Sequence, residues 1–238
     1  HIVHRPVLGW RDVSLLDLIR AATKIPAYVE NNANAAAFGS IYTQPAIADS
    51  SAIYLKLGTG CGGAAIVEGR LLRGARGMAG EFGHIRIADH GNRCYCGQVG
   101  CLETFVNLQA LARAYLGVDT LSEAEFAALP AEIAVKASEG DGKALLALEQ
   151  LCGYLSSGIA SMVNIFNPTT VVLGGPLRPA IARNLASIQQ RVADTIVPGM
   201  TVPEIRMSDH GNLECAVGAA AIAHHYSFDV PWSDLTSD

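Results

Sequence analysis

Residues 80–103 read Gly80-Glu81-Phe82-Gly83-His84-Ile85-Arg86-Ile87-Ala88-Asp89-His90-Gly91-Asn92-Arg93-Cys94-Tyr95-Cys96-Gly97-Gln98-Val99-Gly100-Cys101-Leu102-Glu103. Cys94, Cys96 and Cys101 are spaced C-x-C-x₄-C among glycines, in a chain that holds 6 cysteines. Thiolate and imidazole are the ligands zinc prefers, and four of them close a tetrahedral structural site. The three cysteines supply three ligands. His84 is the first candidate for the fourth, with Asp89 and Gly91 letting the chain turn back, and His90 and Cys61 compete with it. Buried cysteines also serve as small hydrophobes, but a glycine-rich, polar spacing is not an apolar pattern, so the cluster reads as a metal site. Cys61, Cys152 and Cys215 sit in apolar surroundings and read as core.

Outward from this stretch the chain reads as mixed α/β. Toward the N-terminus, His1–Trp10 reads as a loop turning at Gly9–Trp10. A helix follows from Val13 with Ser14 as its cap, and Ala27–Glu30 reads as a short buried strand after Pro26. Asn31, Asn32 and Asn34 then gather three amides in the first turn of a helix. Such strand-to-helix junctions are where open α/β sheets place ligand chemistry. Ala52–Leu57 is a strand closing on Gly58-Thr59-Gly60, and Ala64–Val67 turns through Glu68-Gly69-Arg70 into a hairpin. Toward the C-terminus, residues 102–139 and 142–166 read as helices, Thr170–Leu173 as a strand closing on Gly174-Gly175-Pro176, Val202–Met207 as a strand and Leu213–His225 as a small-residue helix. The last ten residues read as a loosely tied tail.

Composition narrows the classes. Hydrophobic residues make up 50% of the 238 and charged ones 16%, enough for a core and too apolar for a disordered chain. With 17 Lys and Arg against 22 Asp and Glu the net charge is −5, and no basic stripe marks a phosphate-backbone reader. No stretch reaches the ~20 apolar residues of a membrane span and no signal-peptide pattern opens the sequence, so the expectation is a cytoplasmic protein that touches no membrane. Because His1 stands where Met is usual, the natural N-terminus is expected upstream.

Gly80-Glu81-Phe82-Gly83-His84 followed by Cys94-x-Cys96-Gly97-x-x-Gly100-Cys101-Leu102-Glu103 resembles the signature of the ROK family of repressors, open reading frames and sugar kinases. Leu8-Gly9-Trp10, Val29-Glu30-Asn31, Leu57-Gly58-Thr59-Gly60 and Leu173-Gly174-Gly175 also fall where that family has them, so the resemblance covers essentially the whole chain. It implies an α/β fold of the actin-like ATPase, ribonuclease H-like type, with two lobes and a zinc-binding loop. Residues 1–238 would be the ROK domain, without the family's N-terminal Asp-x-Gly-Gly-Thr phosphate loop and any upstream winged helix-turn-helix. The resemblance further implies zinc on His84, Cys94, Cys96 and Cys101, and a sugar held by Asn31, Asn32, Glu81, His84 and Glu103. Carboxylates accept paired hydroxyl donors well, although Glu81 and Glu103 can also be read as solvated or capping groups. His84 could use one ring nitrogen for zinc and the other for a sugar hydroxyl.

One position departs from the pattern. The sugar kinases of the family carry Asn-Asp where this chain has Asn31-Asn32, and that Asp is the general base that deprotonates the attacking hydroxyl. An amide cannot do that work, so no catalytic residue is expected. Gly58, Thr59, Gly60, Gly174 and Gly175 are candidate nucleotide-phosphate contacts, or simply glycines that turn a strand. The sequence therefore points to the sugar-sensing part of a NagC/XylR-type regulator, with DNA bound through a winged helix-turn-helix and the chain working as a homodimer or homotetramer. The alternative is an ATP- and Mg²⁺-dependent sugar kinase.

Overall fold

The structure is a computed structural model that describes residues 2–5, 10–44 and 51–228. The Leu8-Gly9 part of the N-terminal loop and the C-terminal tail lie outside these residues. Among them are seven strands, β1 (Ile2–Arg5), β2 (Trp10–Ser14), β3 (Ala52–Leu57), β4 (Cys61–Val67), β5 (Arg70–Leu71), β6 (Thr170–Gly174) and β7 (Glu204–Met207). The helices are α1 (Leu15–Thr23), α2 (Asn32–Thr43), α3 (Leu108–Leu116), α4 (Glu123–Ser138), α5 (Gly142–Phe166), α6 (Arg178–Ile181), α7 (Leu185–Thr195) and α8 (Glu214–Phe228).

The main sheet has the order β5-β4-β3-β6-β7. β3, β4 and β5 form an antiparallel meander, and β6 and β7 then run parallel to β3. A meander followed by two parallel crossover strands is the ribonuclease H-type sheet that the family signature implies. Its central strands are covered on both faces, which is why Ala-Ile-Tyr-Leu-Lys-Leu and Thr-Val-Val-Leu-Gly are nearly continuous apolar runs. The short edge strand β7 carries charge instead. On one face α5 is the central support, burying Leu151, Leu155, Ile159, Met162 and Val163 against the sheet and the neighbouring helices. Burial of each such side chain contributes roughly 1.5–3 kcal/mol.

Helix boundaries follow local chemistry. Asn31, Asn107, Ser122 and Asp141 each accept backbone N–H bonds at a helix start, and Ser122 with Glu125 completes a capping box. Ser14 precedes α1 as expected, but its hydroxyl bonds the Asp17 carboxylate rather than the backbone.

Two expectations fail. Ile2–Arg5 and Trp10–Ser14 pair antiparallel as a separate two-stranded sheet, where a loop to Trp10 and a helix from Val13 were expected; the helix begins at Leu15. Conversely, Ala27–Glu30 is not a strand. Pro26 lacks a donor, the Glu30 carboxylate takes the next backbone N–H, and Tyr28 is exposed and stacks on Tyr226 rather than entering the core.

On the opposite face, α2 and α8 approach at backbone distance. A Cβ on Gly39 would lie 2.9 Å from Gly218 Cα, and one on Gly218 would lie 1.8 Å from the Ala35 carbonyl oxygen. Small side chains here are the condition for the contact, and they explain why α8 has no clean amphipathic stripe. On an open helix face Gly→Ala is worth up to ~1 kcal/mol of stability. At this crossing Gly218→Ala should instead destabilise the protein by about 3 kcal/mol or more, read as a lowered denaturant midpoint.

Candidate functional site

The stretch from 74 to 101 is irregular, as its glycines suggest, yet it is pinned at defined points. Ile87 N–H donates to the Gly100 carbonyl at 2.8 Å and Leu102 N–H to that of Ile85 at 2.9 Å, bringing residues 85–87 beside 100–102. Gly100 has φ +88, and a Cβ there would lie 1.8 Å from the Ala88 carbonyl oxygen, so this approach needs glycine. Cys94 N–H reaches the Gln98 carbonyl at 2.8 Å, closing a tight turn that presents Cys94 and Cys96 together.

The result is a four-ligand cluster. One ligand atom from each of His84, Cys94, Cys96 and Cys101 lies within 4.8 Å of all the others, and among the described residues this is the group placed to hold a metal ion. His84 Nδ1 is 3.5 Å from Cys94 Sγ, and Cys96 Sγ is 3.6 Å from Cys101 Sγ. A tetrahedron with metal–sulfur bonds of about 2.3 Å and a metal–nitrogen bond of about 2.1 Å has edges of about 3.8 Å between sulfurs and about 3.6 Å from nitrogen to sulfur. The cluster therefore has the spacing that a four-coordinate metal needs, and it is His84 rather than His90 or Cys61 that stands with the three cysteines. Burial pushes the Cys94 thiol up to about 12 and raises Cys101 too, whereas the Gln98 backbone bond lowers Cys96. A metal replaces the thiol protons that this crowding otherwise retains. Cys61 and Cys152 are buried core residues, as expected, and Cys215 is half-buried.

The carboxylates stand beside this cluster. His84 Nε2 faces Glu81 Oε2 at 3.8 Å and the Tyr95 hydroxyl at 2.8 Å. Glu103 Oε1 lies 3.8 Å from Cys94 Sγ, and its Oε2 accepts the Cys61 N–H at 3.0 Å. A Cβ on Gly60 would lie 2.6 Å from that same oxygen, so the turn after β3 leaves room for the carboxylate. The next residue but one, Gly62, abuts Ala33 in the first turn of α2. Glu81, His84 and Glu103 are thus brought together, and β4 links them to Asn31 and Asn32. Asn31 Oδ1 is committed to capping α2, accepting Ala33 N–H at 2.8 Å and Asn34 N–H at 3.4 Å. Asn32 is exposed.

Two residues here escaped the sequence analysis as site components. Tyr95 holds the ring nitrogen of His84 that points away from the sulfurs, where a sugar hydroxyl was expected. The alternation Cys-Tyr-Cys was the available signal. Glu30 anchors the start of α2, accepting Asn31 N–H at 2.9 Å and Asn34 Nδ2 at 3.0 Å, with Arg73 on its second oxygen. Burial works to raise the Glu30 pKa, but the bonds from Asn34, Asn31 and Arg73 outweigh it and hold the carboxyl below its ordinary value.

The two glycine turns meet at the carboxyl ends of β3 and β6. Leu177 N–H donates to the Leu57 carbonyl at 3.0 Å, and Pro176 packs on Gly58. β3 continues into the meander on one side and β6 into β7 on the other, so the crevice between them is the topological switch point of the sheet. Two cavities lie elsewhere. One of about 520 Å³ is bounded by Leu145, Leu146 and Arg183, and another of about 340 Å³ by Phe105 and Tyr154; neither contains a predicted site residue.

Residues 1–226 match the ROK family. The chain belongs to this family. It is 34% identical over 228 residues to a glucokinase of Halalkalibacterium halodurans, covering 91% of this chain and 69% of that one. It is 30% identical over 230 residues to the xylose repressor of Bacillus spizizenii, covering 96% of this chain and 58% of the repressor. The fold is similar to that of a ROK family glucokinase from Streptomyces griseus in complex with glucose and AMPPNP, with a TM-score of 0.80 at 29% identity over 93% of this chain and 76% of that one. The actin-like α/β fold is thereby established. Kinases and repressors are both among the ROK relatives, at comparable identity.

The position of Glu30 sets a pH dependence. A carboxyl whose folded pKa is depressed contributes stability above its unfolded pKa and loses it as pH falls through the folded one. Glu30→Gln should destabilise the protein by about 1–3 kcal/mol at neutral pH and flatten the acid limb of its stability profile, measured by denaturant titration between neutral and acid pH.

Proposed function

We propose that this chain is the sugar-sensing effector domain of a ROK-family transcriptional regulator of carbohydrate metabolism, binding a sugar or amino sugar without efficient phosphorylation. The observation that carries this reading is Asn32 at the general-base position, beside otherwise intact candidate sugar ligands. Asn31, Asn32, Glu81, His84 and Glu103 would hold the sugar, which would displace the Tyr95 hydroxyl from His84 Nε2. Loss of a positioned base lowers turnover by ~10²–10⁴ while leaving hydrogen bonding to hydroxyls largely intact. In this reading the protein works in the cytoplasm as a homodimer or homotetramer, and DNA contact belongs to a winged helix-turn-helix outside residues 1–238. The acidic balance of the chain and its similarity to a xylose repressor over 96% of its length support that division of labour. No helix of the described residues is long and apolar enough to cross a membrane.

The metal in this reading is zinc, and its role is structural. Three thiolates and one imidazole suit zinc and leave no open position for water. Zinc on Nδ1 would fix the tautomer of His84 and aim Nε2 at the ligand. Chelation should lower both thermal stability and sugar affinity, checked by metal analysis, a thermal melt and sugar titration of the same sample. Sugar affinity unchanged in the metal-free protein would refute this role.

The second reading is an ATP- and Mg²⁺-dependent sugar kinase of the glucokinase or N-acetylhexosamine kinase type, favoured by 34% identity to a glucokinase. Phosphoryl transfer rests mainly on positioning and charge stabilisation, so a missing base need not abolish it. Calorimetry with glucose, xylose and N-acetylglucosamine, with a coupled ATP assay, separates the two. The regulator reading expects sugar binding without turnover, and Glu103→Ala to abolish binding with the metal retained. Turnover by the wild-type protein, raised ~10²-fold or more by Asn32→Asp, would establish the kinase instead.

A further inference from the structure

Glu214 is a buried carboxylate with 2% relative exposure, and the proposed sugar site does not use it. It opens α8, where the helix macrodipole favours an anion, and its side chain turns back into the sheet. Glu214 Oε2 accepts the Tyr54 hydroxyl at 2.7 Å and the Gly175 N–H at 3.2 Å, while Oε1 stands 3.9 Å from Lys56 Nζ. Burial first, and then the Glu214 charge, push the Tyr54 hydroxyl far above its ordinary pKa, so it stays a donor. A Cβ on Gly174 would lie 2.3 Å from the same carboxylate oxygen, so the carboxylate lies directly against the second glycine turn.

A glycine turn binds phosphate through inward N–H groups, helped by a nearby cation and a helix N-terminus. All three elements are present here: Glu214 takes the Gly175 N–H of the turn, pairs with Lys56 and is itself the first residue of α8. The Gly175 N–H bonds Glu214, Pro176 has no N–H, the Leu177 N–H bonds the Leu57 carbonyl, and the Arg178 N–H bonds the Gly175 carbonyl at 3.1 Å. Lys56 is balanced by Glu214. A nucleotide phosphate placed here would meet a fixed negative charge and a turn whose donors are already bonded. The first glycine turn is similarly engaged, with Gly58 N–H on the Gly60 carbonyl and Cys61 N–H on Glu103. The Cys215 thiol reaches the Asn32 carbonyl at 3.5 Å, so this plug is joined directly to the general-base position.

We propose that Glu214 is an internal anion that occupies the phosphate-binding turn at residues 174–175, so that the chain accepts a sugar but rejects nucleotide phosphates. The inference deepens the sugar-sensor reading and rests on it: one residue removes the base and another closes the nucleotide side.

The test is calorimetric titration with MgADP of wild-type protein, Glu214→Gln and Glu214→Ala, with glucose titrated into the same samples. Gln preserves the shape and a hydrogen bond while removing the charge, which guards against loss of folding in the Ala variant. The expected result is MgADP affinity raised ~10- to 100-fold in the variants over a millimolar or weaker wild type, with glucose affinity within ~3-fold. Micromolar MgADP binding by the wild-type protein would overturn the proposal without recourse to variants. So would folded variants that gain no affinity. Nucleotide gained in the variants without any glucose binding would uphold the plug and remove the sugar reading instead.

Discussion

The rest of the site depends on the interlock of two glycine turns at the carboxyl ends of β3 and β6. A Cβ on Gly175 would lie 2.3 Å from the Leu57 carbonyl oxygen, the same oxygen that accepts the Leu177 N–H. Only glycine, at φ +90, lets the two backbones close to this distance. That contact fixes where β3 hands over to the meander and where β6 hands over to α6. Glu103 stands beside the first of these turns, at Gly60 and Cys61, and Glu214 beside the second, at Gly174 and Gly175. Each carboxylate takes a backbone N–H beside a glycine turn, so neither is a freely solvated charge.

The metal loop acts as a second constraint laid on the first. A stretch of more than twenty residues without regular structure would ordinarily have no reason to hold a single conformation. Here, ladder-like bonds between 85–87 and 100–102 clamp it at its base, and four convergent ligand atoms close it at the tip. The side chain that joins the metal cluster to the ligand side is His84, with one ring nitrogen toward sulfur and the other toward Tyr95 and Glu81. In the proposed reading, one imidazole would couple stability to recognition. The start of α2 is positioned by a different device, the half-buried Glu30 with its amide and guanidinium donors, and the helix by its backbone contact with α8.

Family membership alone does not choose between a kinase and a repressor, since relatives of both kinds share this fold at similar identity. The choice rests on individual side chains in a common frame. In the proposed reading Asn32 and Glu214 would bear on the acceptor and donor sides of a phosphoryl transfer, and the Cys215 thiol next to Glu214 reaches the Asn32 backbone carbonyl. On that proposal, charge at two points would separate a one-ligand sensor from a two-substrate kinase, with the sheet and its helices left in place.

Much of this was legible from sequence because the information was local. The C-x-C-x₄-C spacing, the amides gathered at Asn31, the glycine turns and the apolar runs of β3 and β6 each report a preference set within a few residues. His84 as the fourth metal ligand was one candidate among three until the chain brought its ring nitrogen to the sulfurs. What only the tertiary structure decided were the long-range pairings. The arrival of Glu103 at Cys61, of Glu214 at Gly175 and at Tyr54, and of Gly218 at Ala35 joins residues that no short-range pattern connects. Glu214 in particular reads in sequence as an ordinary acidic residue opening a helix. It is the packing of α8 on α2 that brings its first residue to Tyr54 of β3 and to the turn after β6.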